Sequence, residues 1–210
     1  MNNVLDRIKS YRLVPVIKLD RACDAVPFCN VLKEGGLPVA EITFRTDAAE
    51  ESIKLVNKNL PEILLGAGTI LNVEQAKRAI SAGVSYIVTP GFSPKVVEYC
   101  LDNNMPIVPG ICTPTEMQYA YEYGLEVVKF FPAEQAGGLP MIKALSGPFP
   151  NMRFLPTGGI NEKNVVDYLK YEKIIACGGS WMANDSLIKN GEFEKLLELV
   201  KEAVRIVHLV

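Results

Sequence analysis

The chain has 210 residues, 49% hydrophobic and 22% charged, with a formal net charge of −2. That length buries one sizeable core, and the near-neutral balance argues against nucleic acid or an anionic membrane as a partner. The single histidine, His208, stands two residues from the end, so histidine-ligated metals and Ser-His or Cys-His nucleophiles drop out, and Lys, Glu, Asp, Arg, Tyr or a thiol must carry any chemistry.

The chain opens on "MNNVLDRIKSYRLV". Its frequent charges leave no apolar h-region, and no later run has transmembrane length, so neither a signal peptide nor a membrane anchor is expected. These first residues predict a short helix that plugs or flanks the strands after it. Eight apolar, β-branched runs come next, starting about every 20–26 residues: "LVPVIKL", "VAEITFR", "ILLGAGT", "YIVTPG", "PIVPGIC", "VVKFFPA", "RFLPTGG" and "IIACGGS". Nearly all end in or run into Gly, Pro or Thr, the punctuation of a strand entering a loop.

Between the runs lie stretches with apolar residues at helical spacing, among them "DAAEESIKLVNKN", "NVEQAKRAISAG", "SPKVVEYCLDNN" and "TPTEMQYAYEYG". Asn72, Ser93, Thr113 and Asn161 stand where N-caps belong, and Gly83 and Gly124 read as helix C-terminal signals. "GEFEKLLELVKEAVRIVHLV" is the final helix. Strands alternating with helices imply parallel pairing through right-handed crossovers. Eight such units predict an α/β fold, a single (β/α)8 TIM barrel over residues 1–210 with a short N-terminal helix. The alternative is an open doubly wound sheet, but no G-x-G-x-x-G follows the first run.

Cys23, Cys29, Cys100, Cys112 and Cys177 form no C-x-x-C pair. That indicates neither a disulfide framework nor a thiolate zinc site, and predicts buried free thiols in a reducing, cytoplasmic compartment.

In a barrel strand alternate residues face the interior, and catalytic groups gather at the strands' C-terminal ends. In the sixth run this places Val127, Lys129 and Phe131 inward. Burial disfavours an ammonium, and a neutral amine forms Schiff bases with carbonyl substrates. In the second run Glu41, Thr43 and Arg45 share a face. Glu41 is then a carboxylate within an apolar strand, suited to general acid/base work. Arg45, at the strand end, is placed to hold a substrate carboxylate. The alternative for Lys129 and Glu41 is a structural ion pair, a poor source of stability. Lys18 is the rival nucleophile, but beside Asp20 and Arg21 its setting is more polar, and it reads as a contact for a substrate anion. The seventh and eighth runs end in Thr157-Gly158-Gly159 and Gly178-Gly179-Ser180. Loops after these two strands commonly bind phosphate through backbone N–H groups.

"EITFRT" (41–46), "GAGT" (66–69), "VTPG" (88–91), "PGICTPTE" (109–116), "KFFPAE" (129–134), "GPFPNMRFLPTGGI" (147–160) and "GGSWM" (178–182) occur in this order. Together they resemble the bacterial 2-keto-3-deoxy-6-phosphogluconate aldolases, often described as also cleaving 4-hydroxy-2-oxoglutarate. The resemblance runs from about Val14 to Met182 and implies a (β/α)8 barrel, usually a homotrimer. It implies a class I aldolase with no metal and no other cofactor, acting on a small keto-acid phosphate. Lys129 would be the Schiff-base lysine and Glu41 the general acid/base. Arg45 and Thr69 would hold the pyruvyl part, with Pro90 and Phe131 lining the site. Gly158, Gly159, Gly179 and Ser180 would bind phosphate. Two other readings remain open from the residues: a sugar-phosphate isomerase or epimerase, and a non-catalytic sugar-acid binding protein.

Overall fold

The computed structural model describes residues 2–210. Helix α1 (Asn2–Tyr11) leads into strand β1 (Leu13–Ile17), and a 3-10 turn (Ala22–Asp24) opens α2 (Ala25–Glu34). Strands and helices then alternate: β2 (Val39–Thr43), α3 (Ala49–Asn59), β3 (Leu64–Gly68), α4 (Val73–Ala82), β4 (Tyr86–Val88) and α5 (Pro94–Asp102). Next come β5 (Ile107–Val108), β6 (Gly110–Ile111), α6 (Pro114–Glu122), β7 (Val127–Phe130), α7 (Gly138–Ser146), β8 (Arg153–Pro156) and α8 (Val165–Leu169). The chain closes with β9 (Cys177–Gly179), α9 (Asp185–Asn190) and α10 (Phe193–Val207). Every predicted run forms a strand. None of the described helices is long and apolar enough to cross a membrane.

The fifth run differs from expectation because Pro109 splits it into β5 and β6. Proline has no N–H for the ladder. Its carbonyl still accepts from the Lys129 N–H at 2.8 Å, and the Gly110 N–H turns to the Thr89 hydroxyl at 3.3 Å. The paired strands are parallel and form one six-stranded sheet, β5-β4-β3-β2-β1-β9, and one of three, β6-β7-β8. Isolated parallel bridges, Phe154 to Ile174 and Thr157 to Gly178, link the β8 and β9 segments. The architecture is therefore α/β with a curled, parallel sheet, built as two ladders rather than one unbroken ring.

The strands are buried almost throughout. Helices cover a parallel sheet, so its strands read as continuous apolar runs. The helices begin largely as their caps predict. Asn72 accepts from the Gln75 N–H at 2.9 Å, and Thr113 forms a reciprocal capping box with Glu116. Ser93 precedes α5 without a side-chain capping bond. Asn161 lies four residues before the first helical residue of α8 and closes a turn on the Lys163 N–H instead. Gly83 and Gly124 both take positive φ after α4 and α6. Of the cysteines, Cys29, Cys100 and Cys177 are buried thiols, whereas Cys112 is half-buried and Cys23 exposed, because Cys23 falls on the short turn before α2. His208 is exposed just beyond α10.

Candidate active site

Two cavities lie at opposite ends of the strands. The larger, about 500 Å³, opens at the strand starts among Asp6, Lys9, Glu126 and Arg153. It contains none of the expected site residues. The smaller, about 220 Å³, lies at the C-terminal ends, where a parallel α/β fold builds its chemistry. Strand alternation explains what lines it. Val16 and Lys18 come from β1 and its end, Thr43 and Arg45 from β2 and its end, and Phe131 follows β7. Thr157, Gly158 and Gly159 follow β8, and Gly178, Gly179 and Ser180 close β9.

Lys129 and Glu41 lie beneath this cleft. The Lys129 side-chain nitrogen is 5.1 Å from the centre of the Phe131 ring and 3.6 Å from Glu41 Oε1. The side chains are 4% and 0% exposed. Neither Glu41 oxygen has a hydrogen-bond partner among the described residues. Burying a carboxylate without donors costs several kcal/mol or more, so the arrangement is a poor structural device. Both lone-pair sets are free to take a proton from a reacting group.

The room for Glu41 comes from the neighbouring strand. Glu41 pairs with Gly66 and Thr43 with Gly68 in the β2–β3 ladder. A Cβ on Gly68 would stand 2.0 Å from Glu41 Oε1. Below lies Tyr86, wholly buried against Gly66, its hydroxyl donating to the Ala40 carbonyl at 3.2 Å. Burial, and secondarily the Glu41 charge, push its phenol well above the usual range. Sequence reasoning gave neither Gly68 nor Tyr86 a part in the site. The ladders were the available signal: Gly66 stands between Glu41 and Tyr86, Gly68 faces Thr43, and glycine inside a strand marks a close approach.

Arg45 donates from Nε to the Thr69 hydroxyl at 3.2 Å, which brings two predicted residues together at the rim. Thr69 has φ +58, a genuine outlier for a β-branched residue and a form of strain that collects at functional sites. Pro90 packs its backbone on Gly110, which pairs with Lys129 in the parallel β6–β7 ladder, so it lies on the side of the strand from which the lysine projects. Lys18 does reach the cleft, but its nitrogen is 2.8 Å from Asp20 Oδ1 and its side chain is 39% exposed. The hydrogen bond and charge of Asp20 raise its pKa, which holds it as an ammonium. Among the described residues no cluster of three His, Cys, Asp or Glu could hold a metal ion.

A sequestered amine beside an uncommitted carboxylate, under glycine loops at parallel strand ends, has the makeup of a class I, lysine-based carbon–carbon lyase. Comparison with known proteins narrows this. A family model described as KDPG and KHG aldolase matches residues 4–199. The 2-dehydro-3-deoxy-phosphogluconate aldolase of Haemophilus influenzae is 45% identical over 204 residues, 97% of this chain and 96% of its own. That of Treponema pallidum is 44% identical over 207 residues, 99% of each. A crystal structure of the Legionella pneumophila KDPG aldolase, with pyruvate captured as a covalent carbinolamine, superposes with a TM-score of 0.91 at 34% identity, covering 94% of this chain and 96% of that one. The chain belongs to the KDPG and KHG aldolase family.

Proposed function

We propose that this chain cleaves 2-keto-3-deoxy-6-phosphogluconate to pyruvate and glyceraldehyde 3-phosphate, without a metal, and accepts 4-hydroxy-2-oxoglutarate at the same amine. The observation that carries the reading is the buried Glu41 carboxylate, 3.6 Å from the buried Lys129 nitrogen and without a hydrogen-bond donor among the described residues. Lys129 attacks the 2-keto carbon to give a carbinolamine, and Glu41 shuttles the protons as water leaves and an iminium forms. Glu41, directly or through a water, takes the proton of the 4-hydroxyl. The C3–C4 electrons flow into the iminium, the aldehyde departs and an enamine remains. Protonation at C3 and hydrolysis release pyruvate and regenerate the amine.

In this scheme Arg45 and Thr69 hold the keto-acid carboxylate and Phe131 covers the imine. Pro90 lines the pyruvyl end of the site beside Gly110, the ladder partner of Lys129. Thr157, Gly158, Gly159, Gly179 and Ser180 receive the phosphate through backbone and hydroxyl donors. Two solved structures support the assignment: the Zymomonas mobilis enzyme with 3-phosphoglycerate, TM-score 0.88 at 33% identity, and the Legionella carbinolamine. We further infer that the two ladders act as one closed eight-stranded barrel, supported by the Pro109 junction and the β8–β9 bridges. A single domain over 1–210 rests on the chain length and the repeated strand–helix units, a cytoplasmic location on the unpaired cysteines, and a homotrimer on the family resemblance.

The test is pyruvate release from the phosphorylated acid with EDTA present, beside 4-hydroxy-2-oxoglutarate. Fast, chelator-resistant release from the first is the expected result. Release from the unphosphorylated acid alone would keep the amine chemistry and remove the phosphate site.

A further inference from the structure

Glu134 ends the "KFFPAE" stretch, and the mechanism gives it no task. It lies within the loop that leaves the lysine strand, five residues after Lys129. That loop is laced to the one after β8. The Ala133 N–H donates to the Thr157 carbonyl at 2.8 Å and the Glu134 N–H to the Gly158 carbonyl at 3.1 Å. The Glu134 side chain then lies flat under Gly159, where an added Cβ would stand 2.6 Å from its Cγ. From the other side, Asn161 and Asn164 donate their side-chain amides to the Gly159 carbonyl at 3.0 and 3.1 Å. One turn into α8, buried Tyr168 reaches back and donates its hydroxyl to Glu134 Oε1. Burial, with Glu134 next, raises its phenol pKa far from neutrality, so it stays a donor throughout the working range.

We propose that Glu134 and Tyr168 are a positioning pair that bolts the lysine loop to α8 and so fixes the Gly158–Gly159 anion cradle at a set distance from Lys129. Neither residue touches the reacting atoms. Their bond sets the span between imine and phosphate, which makes it a specificity device for keto acids carrying a distal phosphate. This rests on the phosphate reading above. The two glycines hold positive φ, +101 and +78, and to the backbone bonds and the packing of Phe131 and Pro132 against Gly158 the bolt adds a side-chain tie on the lysine side.

The experiment compares KM and kcat on 2-keto-3-deoxy-6-phosphogluconate and on its dephosphorylated counterpart, for wild type, Tyr168→Phe, Glu134→Ala, Glu134→Gln and the Tyr168→Phe/Glu134→Ala double variant. A lost hydrogen bond to a charged group predicts a KM rise of about tenfold for the phosphorylated acid, with its kcat and both constants of the dephosphorylated acid within about twofold. Glu134→Gln keeps an acceptor for the phenol and should restore KM toward wild type. The double variant should be no worse than the worse single one, since both remove one interaction. An equal loss on both substrates, an unchanged KM ratio, or Glu134→Gln as harmful as Glu134→Ala would overturn the pair. Should Tyr168→Phe fail to fold, the two substitutions at exposed Glu134 decide alone. A wild type indifferent to the phosphate overturns the underlying reading and the pair with it, whereas a phosphate-preferring wild type whose variants keep that preference overturns the pair only.

Discussion

Two lysines stand at the ends of strands in this molecule, and their surroundings are opposites. Lys18 lies on the cleft rim, 39% exposed, with Asp20 at 2.8 Å. Lys129 lies below the cleft, 4% exposed, with its carboxylate at 3.6 Å and no closer. The rim lysine is neutralised by a neighbour and hydrated, which fixes it as a cation. The interior lysine has a carboxylate near enough to exchange protons with and too far to be tied down. Position on a strand did not separate the two candidates. What separates them is how completely each is satisfied.

The comparison breaks most sharply if the amine itself is removed. Lys129→Met should lower kcat/KM by about 10⁴ or more, since the covalent route is lost, and borohydride with pyruvate should add no mass to the chain. An adduct appearing on Lys18 in that variant would reverse the assignment. Glu41→Gln comes next. Loss of a general acid/base predicts a fall of about 10²–10⁴ in kcat, and an unaltered circular dichroism spectrum would show that the fold is intact. Near-normal turnover would take Glu41 out of the mechanism.

Gly68→Ala sharpens the same contrast from outside the pair. Its methyl group would meet Glu41 Oε1. Overpacking of this kind costs about 1–3 kcal/mol, and a displaced catalytic group costs about 10² in rate. Urea melts and initial rates measure the two separately, and a stable, fully active variant would mean that Glu41 has room to spare. Lys18→Met should leave the adduct on Lys129, which peptide mass mapping would confirm.

The smallest effect concerns pH. Burial pushes the thiols of Cys29 and Cys100 up to about 12, and that of Cys177 also upward. A thiol with a raised folded pKa contributes stability that is complete below the unfolded value, about 8.5, and is lost as pH rises toward the folded one. The thermal midpoint should therefore sag between about pH 8.5 and about pH 10. Cys29→Ala should flatten the decline, and an unchanged slope would remove that thiol from it.

Much of this was legible in the residues. The eight runs mark every strand because a covered parallel sheet demands continuous apolar sequence, and simple alternation carried Lys129 with Phe131, and Glu41 with Thr43 and Arg45, to one side. What escaped depended on neighbours distant in sequence. Pro109 reads as an ordinary member of an apolar run until its missing N–H is set against a partner strand. Tyr86 reads as core, and Gly68 as punctuation, until the ladders set Gly66 between Tyr86 and Glu41 and the Glu41 carboxylate folds over Gly68. Asn161 has the right chemistry for a cap, but α8 starts later than periodicity suggests.

The buried pairing of Glu41 with Lys129 has a consequence for the history of such a chain. Replacing a buried ion pair with apolar residues of similar size is often neutral or stabilising, by about 1–4 kcal/mol. A duplicate copy freed from its reaction would thus drift toward, say, Leu at 41 and Met at 129, and would grow sturdier as it fell silent. Relatives on this scaffold that lack the two polar residues would be expected among the hardier members, and screens that reward thermal tolerance alone would select dead enzymes first.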